Sequence, residues 1–145
     1  MKSICDWIKE EKEKAVIAED YDYPIDNSYI MGMCRADQDY SDDILHNVTC
    51  PSDYPKWVPK ALDYALHNWN RALAAAKEDK SLNLKELKTS TLGVISSAWF
   101  VLFEAYRGWG AEWAAKKGKS FIAEFSKEVA TISNAWMKVK AGKPV

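Results

Sequence analysis

Leu62, Leu66, Trp69, Leu73 and Ala76 follow one another at spacings of 4, 3, 4 and 3 residues, the seam that an α-helix turns toward a neighbour. Pro59 stands just ahead of them at a favoured first helical position, so the pattern predicts a helix from Pro59 to about Glu78–Ser81. A second periodic run, Phe121, Phe125, Val129, Ile132, Trp136 and Val139, predicts a last helix capped by Ser120 and ended by Gly142 and Pro144. Between them, Asn83 followed by Glu86 forms an N-cap with an acidic third position. Leu84, Leu87, Ile95, Trp99, Leu102, Tyr106, Trp109 and Trp113 continue that helix, with Gly108 and Gly110 as places where it bends or stops. From Leu92 to Phe103 it is apolar on nearly every side, as in a helix enclosed by others. The amino-terminal stretch predicts one more helix from an N-cap at Ser3, with Ile4, Trp7, Ile8, Ala15 and Ala18 near one face and Glu11 interrupting it.

These patterns predict an all-α protein: one domain over residues 1–145, a bundle of about four main helices around the Leu92–Phe103 segment. The chain has 145 residues, 48% of them hydrophobic and 28% charged, enough to bury a core without disulfides or metal. Cys5, Cys34 and Cys50 are odd in number and widely spaced, which suits reduced thiols. The charges from Lys2 to Lys14 leave no room there for an apolar leader, and the Leu92–Phe103 run is too short to span a membrane, so a cytoplasmic chain without membrane contact is expected.

Charge changes the picture between the first and second helices. Glu19–Tyr54 holds nine acidic residues against Arg35 alone, a net −8, whereas the whole chain is only −1. Five of the seven tyrosines lie there as well, with Pro24, Gly32 and Pro51. Residues 19–58 therefore read as a long acidic, tyrosine-rich, irregular insert, with a short helix over Ser41–Val48 and an extended piece over Tyr29–Met33. A connection of that length inside a compact domain is usually functional or flexible. Asp37, Asp39, Tyr40, Asp42 and Asp43 form the expected recognition cluster, and Tyr21, Asp22 and Tyr23 a second patch. Carboxylates steer a basic partner and tyrosines supply contact area. The expected function is a non-enzymatic protein-binding module without cofactor, an inhibitor or adaptor whose partner is a protein with a basic surface. In the sharpest form its carboxylates imitate nucleic-acid phosphates, as small viral or mobile-element inhibitors do, with no direct nucleic-acid contact of its own.

Two alternatives stand beside it. A structural or assembly subunit would self-associate into a homo-oligomer through a tryptophan-rich face, Trp99, Tyr106, Trp109 and Trp113, in a chain that has seven tryptophans. A small enzyme would need a pocket joining Glu104, Arg107 or His67 to a substrate. The motifs for chemistry are incomplete. Asp37, Asp39, Ser41 and Asp43 match the first alternate positions of a calcium loop, but Asp42 replaces its glycine and Val48 its final glutamate. Cys34, His46 and Cys50 lack the short spacing of a zinc pair, and Gly118-Lys119-Ser120 lacks the earlier glycine of a phosphate loop.

Overall fold

The computed structural model describes Ile4 and residues 24–104 and 125–145. Those residues form four long α-helices and one short 3₁₀ turn, with no strand among them. Helix α1 spans Asn27–Asn47, and its start is set by Asp26, whose carboxylate accepts the Tyr29 N–H at 2.7 Å. It replaces most of the predicted irregular insert: the short helix at Ser41–Val48 is the end of a 21-residue one, and Tyr29–Met33 is helical rather than extended. The reason lies in Ile30, Met33, Asp37, Tyr40 and Ile44, all buried and spaced 3, 4, 3 and 4. The helical stripe was there, with an aspartate in its centre.

After the 3₁₀ turn Pro51–Asp53, α2 runs Tyr54–Glu78. It begins a full turn before Pro59, because Pro55 already occupies the first turn. Pro59 then lies inside the helix, where its missing N–H forfeits one bond near the start. The turn into the next helix is fixed by Asp79, whose carboxylate accepts from the Ser81 N–H and hydroxyl at 2.9 and 2.6 Å. Helix α3 spans Lys85–Glu104, with Asn83 accepting the Lys85 N–H at 3.0 Å. Helix α4 spans Ser126–Lys140 and ends on Gly142 at φ 71°, with the Lys143 N–H reaching back to the Lys138 carbonyl at 2.8 Å. The predicted helix from Ser3 falls outside the described residues except for Ile4, which is helical and buried in the common core. The predicted cap at Ser120 and the continuation from Tyr106 to Trp113 also fall outside them.

The helices alternate in direction. Asn27 bonds the Ser81 carbonyl and the Asn83 N–H, and Asp37 bonds Ser90 and Thr91, so α1 and α3 run side by side and parallel. The short turn at Asp79 sets α2 antiparallel to both. Helix α4 follows α2, with the Tyr54 and Phe125 rings 6.1 Å apart at one end and the Trp69 indole N–H on the Lys143 carbonyl at the other, 2.9 Å. Helix α3 packs against the other three, as the central position predicts. It is not enclosed: Phe100 and Phe103 are 54% and 43% exposed. The apolar run exceeds what three neighbours cover.

Candidate interaction surface

Helix α1 sorts the expected acidic cluster by angle. Successive residues on a helix are turned by 100°, so five positions that adjoin in sequence point to different sides. Asp37 and Tyr40 are fully buried, and this corrects their assignment to a recognition surface. Tyr40 packs edge-on against Tyr64 of α2, ring centroids 5.1 Å apart. Asp39 and Asp42 are exposed and Asp43 is half-buried. Partial burial pushes the Asp43 carboxyl up, and the charges of Asp39 and Asp42 add to the rise while His46 opposes it. Negative charge is therefore concentrated on the outer side of α1. Tyr21, Asp22 and Tyr23, the expected second patch, lie outside the described residues.

The buried Asp37 sits in the α1–α3 interface in surroundings that oppose its charge. Its Oδ2 accepts from the Ser90 and Thr91 hydroxyls at 2.8 and 3.2 Å, while Oδ1 is buried without a partner. Burial drives its pKa up to about 7, against the pull of the two hydroxyls. Cys34, one turn earlier, is also pushed up, first by burial and then by Asp37 and Glu86, with Ser90 opposing. That keeps it a thiol and a poor nucleophile.

The other candidate residues do not converge. The alternate positions Asp37, Asp39, Ser41 and Asp43 lie on a helix, which spreads them around its circumference instead of wrapping one ion. Among the described residues no group of three or more His, Cys, Asp or Glu could hold a metal. The Cys50 thiol instead donates to the Asp53 carboxylate at 3.2 Å. Arg71, one turn after His67 on α2, reaches across to α1, where its guanidinium lies 5.5 Å from the Tyr29 ring centroid and donates to the Tyr29 hydroxyl at 3.3 Å. Glu104 is exposed at the end of α3, and Arg107 lies outside the described residues.

Two grooves flank the outward face of α3. One, of about 790 Å³, runs between α1 and α3 past Arg35, Gln38, Asp42, Lys85 and Glu86. The other, of about 320 Å³, opens between α3 and α4 over Ile95 and Ile132, with Trp99 and Trp136 as half-buried walls. Met137 beside it is 70% exposed, and Lys140 caps the Trp136 ring at 5.7 Å. Trp99 is the only member of the expected tryptophan-rich face within the described residues. None of Met31, Leu45, Phe100 and Met137 stood out in the sequence as a surface apolar group: Met31 and Leu45 fall in the expected irregular insert, and Phe100 in the run expected to be enclosed. The chain matches no protein-family model, no curated protein and no solved structure.

Proposed function

We propose that the chain is a non-enzymatic protein-binding module that presents the acidic outer side of α1 to a basic surface of a partner protein. The observation that carries the reading is the crowding of Asp39, Asp42 and the half-buried Asp43 on the outer side of one helix, where burial first and then the charges of Asp39 and Asp42 raise the Asp43 carboxyl. Asp39 and Asp43 are one turn apart, which holds their carboxylates close on a rigid support. Like charges held together on a stable element cost energy that a basic partner relieves, and such a patch accelerates encounter.

The test uses Asp39→Asn with Asp43→Asn, leaving the buried Asp37 untouched. Affinity capture from the lysate of the producing cell is expected to recover a basic protein with wild type and lose it with the double variant. The affinity for that partner should also fall less steeply with salt in the variant. Equal capture by both proteins would overturn the reading. A second reading, assembly through the apolar face, draws on the exposed Phe100, Phe103 and Met137 around the α3–α4 groove.

A further inference from the structure

A second strip on the outward side of α1 has an order of side chains that is complementary to its own reverse. Met31, Arg35, Gln38, Asp42 and Leu45 succeed one another at spacings of 4, 3, 4 and 3, forming one face of the helix about 21 Å long. All five are exposed, Met31 at 42% and Leu45 at 44%. Gln38 stands at the centre, a charge of opposite sign stands on either side of it, and an apolar side chain closes each end. Neither Arg35 nor Asp42 forms an ion pair among the described residues. The strip is neutral although the segment that contains it is strongly acidic.

We propose that a second copy of this chain docks on this strip, antiparallel, about a twofold axis that crosses α1 at Gln38. In a twofold contact each residue meets its counterpart reciprocally, so every complementary pair forms twice. With the axis at Gln38, Arg35 faces the partner's Asp42 and Asp42 faces the partner's Arg35. Met31 and Leu45 exchange places in the same way, giving two apolar contacts at the ends. Gln38 meets the partner's Gln38, and an amide both donates and accepts. A parallel pairing would set arginine on arginine and aspartate on aspartate, so charge selects the antiparallel one.

The neighbouring helix fits the same axis. The bonds from Asp37 to Ser90 and Thr91 place Gln38 level with Thr91 and Leu92, one to two residues before Gly93 on α3. A Cβ added at Gly93 would meet nothing within 4 Å among the described residues, so no contact there requires glycine at this mid-helix position, where it weakens the helix. A second copy lying across that level brings another backbone to its closest approach there. Asp42 belongs to both surfaces, but Asp39 and Asp43 lie on the adjoining strip and stay open in the dimer, so exchanging those two tests the basic-partner reading without touching the dimer contact.

Sedimentation equilibrium on the purified chain alone tests it. Loaded at about 100 µM, wild type is expected at twice the chain mass, as for a dimer of micromolar affinity. Arg35→Asp and Asp42→Arg, each placing like charges together, should each weaken dimerisation about tenfold or more. The double variant carrying both exchanges restores the pairing with signs reversed and should return to wild-type affinity. Asp39→Asn with Asp43→Asn should leave the dimer intact, which separates failure here from failure of the partner reading. Wild type that is monomeric throughout, single exchanges without effect, or a double variant that remains monomeric would each overturn the proposal.

Discussion

Asp37 shows what a single residue does when helix geometry overrides its preference for water. An aspartate is normally ionised above pH 4, but here the folded state holds it protonated up to about 7. Because the folded pKa exceeds the unfolded one, the group imposes no penalty below about pH 4. Stability falls as pH rises from about 4 to about 7, the range in which the unfolded chain has lost the proton that the folded protein keeps, and levels off above it. At about 1.4 kcal/mol per tenfold change in proton affinity, the full penalty is on the order of 4 kcal/mol. Asp37→Asn should therefore match wild type at pH 4 and exceed it by a few kcal/mol at pH 9, measured by urea unfolding at both values. A variant no more stable than wild type at pH 9 would contradict the burial of that charge. This residue also concealed α1 in the sequence, since a buried acid in a helical stripe reads as a solvated one.

At the scale of elements, the tryptophans separate into two kinds. Trp69 is 1% exposed on α2, with its indole N–H satisfied, whereas Trp99 and Trp136 are half-buried along the α3–α4 groove. Periodicity places all three on apolar stripes and cannot tell a stripe that is covered from one that lines an opening. Trp69→Ala should cost about 3–5 kcal/mol, as for a fully buried large side chain. Trp136→Ala should cost less than half as much, since the groove already leaves part of the ring in water. Denaturant titrations of the two variants check the ranking. Similar losses would mean that α4 seals the groove as tightly as α2 seals the core.

Over the whole molecule, the last residues tie the bundle together far from their own helix. The Lys143 carbonyl accepts from Trp69, and the Val145 N–H and carbonyl pair with the Asn70 side chain at 2.8 and 2.9 Å. Removing residues 143–145 should lower stability by about 1–3 kcal/mol, because a buried indole donor loses its partner. A thermal melt of the truncated chain reads it, and an unchanged melting temperature would assign the tail no structural role.

The helical class, the seams of α2 and α4 and the central place of α3 were legible in the sequence, because apolar residues at 3.6-residue spacing have few other ways to leave water. Asn83, Gly142 and the end of α2 near Glu78 were readable for a similar reason: caps and helix ends are local chemistry. The course of α1 was not, since its buried stripe carries an aspartate and its polar composition matches a loop. Which of Asp37, Asp39, Tyr40, Asp42 and Asp43 meets solvent was decided only by the packing of α1 on α2 and α3, which turned Asp37 and Tyr40 inward and left Asp39 and Asp42 outside. Composition counts charges along the chain, but a helix distributes them around an axis, and only the neighbouring helices determine which side faces water.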